Sequence, residues 1–344
     1  KSLTDVFTLL SDEDFAKYGQ SLEEGSIEIM KEYGFSIEDT NKAMFDAISA
    51  GVPAADAINF LNQAAILAVG GVTDLGVSVD GVTSIMNAYK LSSDQTEQVT
   101  SAFFTAQKYG KTTVAELSAE IGQLAPITAV AGINFQEMLS AVSAMTTQGI
   151  NTNTAVTALK GAITSLLKPT GDAEVILRKY NVPVGQTEIA AAGLTNTLEA
   201  LNKVIEQNPD EIAKAIPNIR GFLAVTALSG ETLDDYQNIL QQVNSDYGEG
   251  SSLINAYTKQ SETNTQKLAS AKARLTAMRI ELGDKLSPVM THIVSKGSLM
   301  LKGISNLITF ITKYSKILVP LTTAITAYYL ATKASILWDK IKVW

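Results

Sequence analysis

From about residue 26 to residue 168 the chain repeats one phrase. A run with apolar positions three and four apart ends in glycine, an apolar residue follows, and then comes a residue suited to open a helix. The instances are Gly34-Phe35-Ser36, Gly51-Val52-Pro53, Gly132-Ile133-Asn134 and Gly149-Ile150-Asn151. Lys90-Leu91-Ser92 has Lys in place of Gly, and Gly110-Lys111-Thr112 lacks the apolar middle. Glycine after a last helical turn adopts the left-handed conformation without a Cβ penalty, and the apolar residue behind it packs back on that turn. Ser, Asn or Thr then caps the next helix, and Pro fits its first turn. Capping boxes run from Ser92 to Gln95 and from Thr113 to Glu116, with a looser one from Asn134 to Glu137.

The breaks at Gly34, Gly51, Gly70, Lys90, Gly110, Gly132 and Gly149 lie 17 to 22 residues apart, which fits a helix of about fifteen residues plus a short turn. Val99, Phe103 and Ala106, and Met138, Ala141, Val142 and Met145, follow the helical period. No run alternates apolar and polar residues for long. The pattern predicts helices whose Ala and Gly faces let them approach closely. Residues 171–248 continue as helix with more loop, punctuated by Pro183, Gly185, Gly193, Pro209 and Pro217. From Ser251 to Lys285 the only Gly is Gly283 and there is no Pro, so one long helix is expected. Leu268, Leu275 and Leu282, with Ala271 and Met278 between them, form a short heptad seam. It reads equally as a coiled-coil edge or as a helix packed on its own domain.

After Gly297 the character changes. Residues 304–312 are uncharged and include Ile304, Leu307, Ile308 and Phe310; residues 317–332 are again without charge and include Ile317, Leu318, Val319, Leu321, Tyr328, Tyr329 and Leu330. Ile336, Leu337, Trp338 and Trp344 then alternate with lysines. The 16-residue run is shorter than the about twenty apolar residues of a spanning helix, and Pro320 bends it. Three readings stay open: a buried helix pair, a segment stored for membrane insertion with Lys and aromatic flanks, and a self-association surface.

The expected fold is all-α: a compact array of short Gly-punctuated helices, then a long helix, then apolar C-terminal helices. It divides into residues 1–35 (helices continuing from a missing upstream segment), 36–170 (the core), 171–248 (a helical extension with loops), 249–296 (the long helix) and 297–344 (the apolar, membrane-active candidate). A start at Lys1 without Met and an end at Trp344 inside an apolar stretch read as a fragment of a longer chain.

Composition narrows the chemistry. The 344 residues hold 46% apolar and 18% charged residues, no Cys and a single His, His292. This excludes disulfides, Cys-ligated zinc and a thiol nucleophile, and removes most His-based metal and acid–base chemistry. A formal charge of −8 argues against sequence-specific nucleic-acid binding, which needs a basic face. It suits a surface that DNA passes without sticking. Gly70-Gly71 with Gly76 lacks the Lys-Ser/Thr end of a phosphate loop, and no Ser sits in a nucleophile elbow to which His292 belongs. Glu116 and Glu120, one turn apart, are the one carboxylate pair worth testing against a cell-wall hydrolase. No aromatic cleft accompanies them. No catalytic residue, cofactor or metal is expected.

A resemblance completes the reading. AAILAVGGVTDLGVSVDGVTSIMNAYKLSSDQ (64–95), KYGKTTVAELSAEIGQLAPITAVAGINFQEMLSAVSAMTTQGINTNTAVTALKGAI (108–163) and LLKPT (166–170) resemble the core of phage tail tape measure proteins, also called minor tail proteins. IPNIRGFLAVTALSG (216–230) and RLTAMRIELGDKLSPVM (274–290) resemble segments that follow that core, so the likeness runs from about residue 40 to residue 290. The resemblance implies a structural virion protein in the tail tube lumen, present in several copies. Such a protein sets tail length during assembly in the host cytoplasm and helps DNA into the cell on infection. The implied partners are copies of itself, the tail tube protein, tail assembly chaperones and distal tail or baseplate proteins, with the host cytoplasmic membrane as a further site. A membrane pore without a ruler role is the alternative, and a cell-wall hydrolase module a further one. A ruler gains about 1.5 Å per residue of continuous helix. The Gly-punctuated core breaks that continuity, so the measuring length is expected mostly outside this stretch.

Overall fold

The computed structural model describes residues 2–295, without the side chains of residues 248, 249, 284 and 287–295. The apolar segment from Ile304 to Trp344 therefore lies outside the described residues, as does the His292 side chain. The chain divides into two units, Lys1–Ala277 and Met278–Trp344. Of the second, the described part is helical, residues 278–295.

Among the described residues there are α-helices and one 3₁₀ turn, and no strand, as the pattern predicts. In order they are α1 (Leu3–Phe7), α2 (Asp12–Tyr33), α3 (Ile37–Ser49), α4 (Ala57–Gly70), α5 (Leu75–Tyr89), the 3₁₀ turn (Ser93–Gln95), α6 (Thr96–Tyr109), α7 (Val114–Ile121), α8 (Ala125–Ala131), α9 (Phe135–Thr147) and α10 (Thr152–Leu167). Then come α11 (Gly171–Lys179), α12 (Gly185–Gln207), α13 (Pro209–Ala215), α14 (Ile219–Ala227), α15 (Glu231–Glu249), α16 (Ser251–Ser261) and α17 (Asn264–Ser295).

The caps sit where the repeated phrase places them. Ser36, Asn134 and Asn151 accept from the backbone N–H groups of Asp39 (3.0 Å), Glu137 (2.9 Å) and Thr154 (2.9 Å). Gly34, Gly132 and Gly149 are left-handed, and so is Lys90. Ile133 and Leu91 close the turns by donating back to Thr128 O and Met86 O. At Gly132 the glycine is required twice. Its φ is +75°, and a Cβ would meet that of Ala190 at 2.3 Å.

Three expectations are corrected in detail. The turn after α4 falls at Val72, not Gly70: Gly70 is the last helical residue, and its lack of a side chain serves α16, since a Cβ there would press on Leu253 and Tyr257 (3.0 and 3.2 Å). Pro53 does not open α4, which starts at Ala57 after a turn. The expected long helix of residues 251–285 is two helices, α16 and α17. Thr263 supplies a cap there, its Oγ1 accepting from Gln266 N–H at 3.2 Å, and this local hydrogen bond competes with helix continuation.

The first unit buries one large core. Val99, Phe103, Ala106, Met138, Ala141, Val142 and Met145 are all fully buried, as their spacing predicts. Helices approach through small residues: α10 and α14 cross at Gly161 and Gly221, where a Cβ on Gly161 would stand 2.9 Å from Gly221 N. α5 meets α7 and α6 at Gly81, against Ser118 and Phe103. The buried hydroxyls of Ser78 and Ser143 donate to Ala64 O (2.8 Å) and Ala106 O (3.0 Å) on the neighbouring helix, so close packing leaves these polar groups paired.

Candidate functional site

The heptad seam lies on α17, whose residues to Ala277 belong to the first unit. The opposite side of the helix packs. Ala273 and Ala277 are buried with Met30 of α2, flanked by Ile27 and Ile37. Ser270 Oγ donates to Glu32 O at 3.2 Å, and Gln266 Nε2 donates to Tyr33 O. The backbones approach so closely here that a Cβ on Gly34 would stand 2.8 Å from Ser270 N. At about 100° per residue, Leu275 points away from this alanine face, while Leu268 and Lys272 edge a cavity of about 410 Å³ that Met30, Phe35 and Ile37 also line; both leucines are half-buried, and Ala271 is exposed. Met278 is 46% exposed and Leu282 half-buried. The seam spacing is legible in the sequence. The alanine face that anchors the helix is not, since Ala carries little hydrophobic signal.

Between α3, α5 and α7 runs a groove of about 900 Å³. Phe35, Leu75 and Val77 give it an apolar lining, and Asp39, Asp46, Asp74 and Asp80 line it with Lys42. Lys42 Nζ pairs with Asp46 Oδ2 at 2.6 Å. That hydrogen bond first and the Asp46 charge next, with lesser help from Asp39 and Asp80, raise the Lys42 pKa above its ordinary value against an opposing desolvation. Ser118, 3% exposed, also lines the groove, and its Oγ has no hydrogen-bond partner among the described residues.

Two polar clusters leave no mark in the sequence pattern. Glu137 on α9 is 7% exposed. Its Oε1 accepts from both N–H and Oγ1 of Thr195 at 3.1 Å, and Thr195 shares a 2.9 Å hydrogen bond with Tyr236 OH. The carboxylate fits because Gly193 breaks α12 at φ 77°, ψ 173°, leaving the Thr195 N–H to donate to it; this conformation is essentially restricted to glycine. Burial, and then the Glu137 charge, push the Tyr236 pKa up. Asp246 on α15 accepts from Thr105 Oγ1 (2.8 Å), Ser251 Oγ (3.2 Å) and Ser252 N–H (3.4 Å). Burial opposes its charge, but the hydrogen bonds from Ser252, Thr105 and Ser251 together outweigh this and hold its pKa below the ordinary value. Partners this distant in sequence leave no periodic trace.

The carboxylates tested as a hydrolase pair have structural partners. Glu116 closes the Thr113 capping box and accepts from Thr152 Oγ1 (3.2 Å); Glu120 accepts from Asn153 Nδ2 (2.7 Å) and Gln123 Nε2 (2.9 Å). Among the described residues no group of three or more His, Cys, Asp and Glu could hold a metal ion. No single described helix is long and apolar enough to cross a membrane; α4 and α5 pass that test only as a pair bent by 118°, and much of both lies in the core.

The family model for phage-related minor tail proteins matches residues 23–221, from within α2 into α14. A probable tape measure protein of Clostridium phage phiCD119 is 26% identical over 293 residues, 81% of this chain and 30% of that protein. The tape measure protein of Pneumococcus phage Dp-1 is 22% identical over 296 residues, 82% of this chain and 25% of its own length. The chain thus spans less than a third of either relative, and no solved structure matches it significantly. With the family model covering more than half of a chain whose helices, caps and small-residue crossings are those just described, the protein belongs to the phage-related minor tail protein family.

Proposed function

We propose that this chain is a folded body within a phage tail tape measure protein, with a structural and not an enzymatic role. The supporting observation is the family match across most of the compact helical unit, together with two relatives named as tape measure proteins that pair with four-fifths of the chain. In this reading the full protein sits in the tail tube lumen, sets tail length during assembly and assists DNA passage on infection. Its partners are further copies, the tail tube protein, assembly chaperones and distal tail proteins, with residues 297–344 acting at the host cytoplasmic membrane. The net negative charge suits a lumen shared with DNA, because like charge keeps the polyanion moving.

The short capped helices of the body do not supply ruler length. A continuous helix gains about 1.5 Å per residue, whereas each break here turns the chain back on itself. Length measurement is therefore assigned to the parts of the full protein outside this body, which in the two relatives make up most of the chain. In-frame deletions there should shorten virion tails by about 1.5 Å per residue removed, read by electron microscopy. Tails of unchanged length would overturn the reading.

A further inference from the structure

We propose that α17, as far as Ala277, is a hinged strap that opens about Thr263 and then carries α16 on as one continuous helix. The structure shows the closed form, with the strap folded onto α2. The motion asks nothing of a ruler role.

The hinge is a short polar joint. α16 ends at Ser261 and α17 begins at Asn264, and Glu262 between them still has helical backbone angles (φ −79°, ψ −13°). From Ser251 to Ala277 there is neither Gly nor Pro, so no residue forbids helix through the joint. In the closed form the Gln266 N–H donates to Thr263 Oγ1 at 3.2 Å. In a continuous helix the N–H groups of Asn264, Thr265 and Gln266 would donate instead to the carbonyls of Gln260, Ser261 and Glu262. The break exchanges backbone bonds for a side-chain cap. Ser, Thr and Asn support either choice, so the outcome depends on what the strap rests upon.

The two sides of the joint are held unequally. α16 is fixed to the main core: Leu253 is buried against Gly70 of α4, and Lys108 Nζ donates to Ser252 Oγ at 2.8 Å. α17 has a lighter seat. Met30, Ala273 and Ala277 form a small cluster separate from the main core, and alanine buries little apolar area. Beside it lies the cavity of about 410 Å³ between Leu268 and Lys272 on the strap and Met30, Phe35 and Ile37 beneath, where atoms lack van der Waals partners. Among the described residues no ion pair joins α2 to α17 as far as Ala277. The latches are Gln266 Nε2 on Tyr33 O and Ser270 Oγ on Glu32 O (3.2 Å). Both acceptors are carbonyls in the last turn of α2, which that helix cannot satisfy itself. Water can take the place of either donor, so opening strands no buried group. It uncovers Ile27, Met30 and Ile37, an apolar corner that the closed strap hides.

The chain has no cysteine, so pairs of introduced cysteines carry spin labels without background. On the full chain, labels replacing Glu28 and Thr276, both exposed, report closure by double electron–electron resonance. Labels replacing the exposed Asn255 and Ala271 report the joint. In the parent the distance between α2 and α17 should be short. Thr263→Ala with Gln266→Ala and Ser270→Ala removes the cap and both latches outside the main core. It should raise the population with a longer distance about threefold or more, the effect of losing even one hydrogen bond. The Asn255–Ala271 pair should then approach the about 24 Å that a straight helix places between their Cα atoms. Thr263→Ala alone should shift both distances the same way by less. The proposal is overturned if neither variant changes the distances, or if α17 leaves α2 with a loss of helical circular dichroism in place of a continued helix. It is equally overturned if Thr263→Ala alone melts the first unit, which would make α17 integral to the core.

Discussion

Helices α6 and α9 bury most of their circumference, whereas α11, α12 and α15 each bury a narrow stripe and leave much of their surface exposed. The two regions are also held differently. In the first, Ala, Gly and Ser bring backbones together, and the buried hydroxyls of Ser78, Ser143 and Thr146 are satisfied on the same or the adjacent helix. In the second, side chains reach across to the first: Thr195 to Glu137, with Tyr236 OH on Thr195 behind it, Thr232 to Gln148, Asp246 to Thr105 and Gln242 to Tyr109 (3.1 Å), and on the following α16 Ser252 to Lys108 (2.8 Å). All five anchors lie on α6 or α9 or in the turn after α9. Dispersion and burial hold the first region; hydrogen bonds to two buried carboxylates hold much of the second, and the one at Asp246, whose pKa folding lowers, carries a pH dependence with it.

Lesions in the two regions should therefore differ in kind. Phe103→Ala opens a cavity at the Gly81 crossing and should cost about 3–5 kcal/mol, lowering the urea midpoint for the whole unit in one transition. Glu137→Ala strands Thr195 N–H and hydroxyl groups in the interior and should cost about 2–3 kcal/mol. Here the loss should appear as earlier exposure of α12 and α15, read by limited proteolysis, with α4 and α6 still protected; simultaneous loss of all four would remove the distinction. Asp246→Asn should cost about 1 kcal/mol at neutral pH. The Asp246 pKa is lowered on folding, so its contribution is present above the ordinary carboxylate range and is lost as the pH falls through the lowered value. Parent and variant stabilities, followed by thermal melts, should converge at acid pH; a constant gap would show that ionisation is not involved. The smallest effect is a gain. Val72 is left-handed at φ 55° and 74% exposed, an unfavourable conformation for a β-branched residue. Val72→Asn should raise stability by about 1 kcal/mol without touching either region's packing.

The same contrast explains what the sequence discloses. The core announces itself through glycine, an apolar residue and a cap, because each member serves its own helix end: Ser36, Asn134 and Asn151 cap as expected. Where a glycine serves a neighbouring helix instead, as Gly70 does for α16, the local pattern misplaces the turn by two residues. The Thr263 cap is hidden in a polar run without Gly or Pro, so α16 and α17 read as one. The α17 seam is visible from spacing alone, but its opposite alanine face, the Asp-lined groove and the Glu137 and Asp246 clusters depend on long-range contacts. Glu137 has the look of half a capping box; its side chain goes to Thr195, 58 residues away.

Native-state hydrogen exchange of the full chain reads this two-region account most directly. The amides of α4, α6 and α9 should exchange most slowly, through opening of the whole first unit, while α11, α12 and α15 open at lower free energy, α15 sooner as the pH falls through the lowered Asp246 pKa. Equal protection throughout at every pH, or faster exchange in α6 and α9 than in α12 and α15, would contradict it.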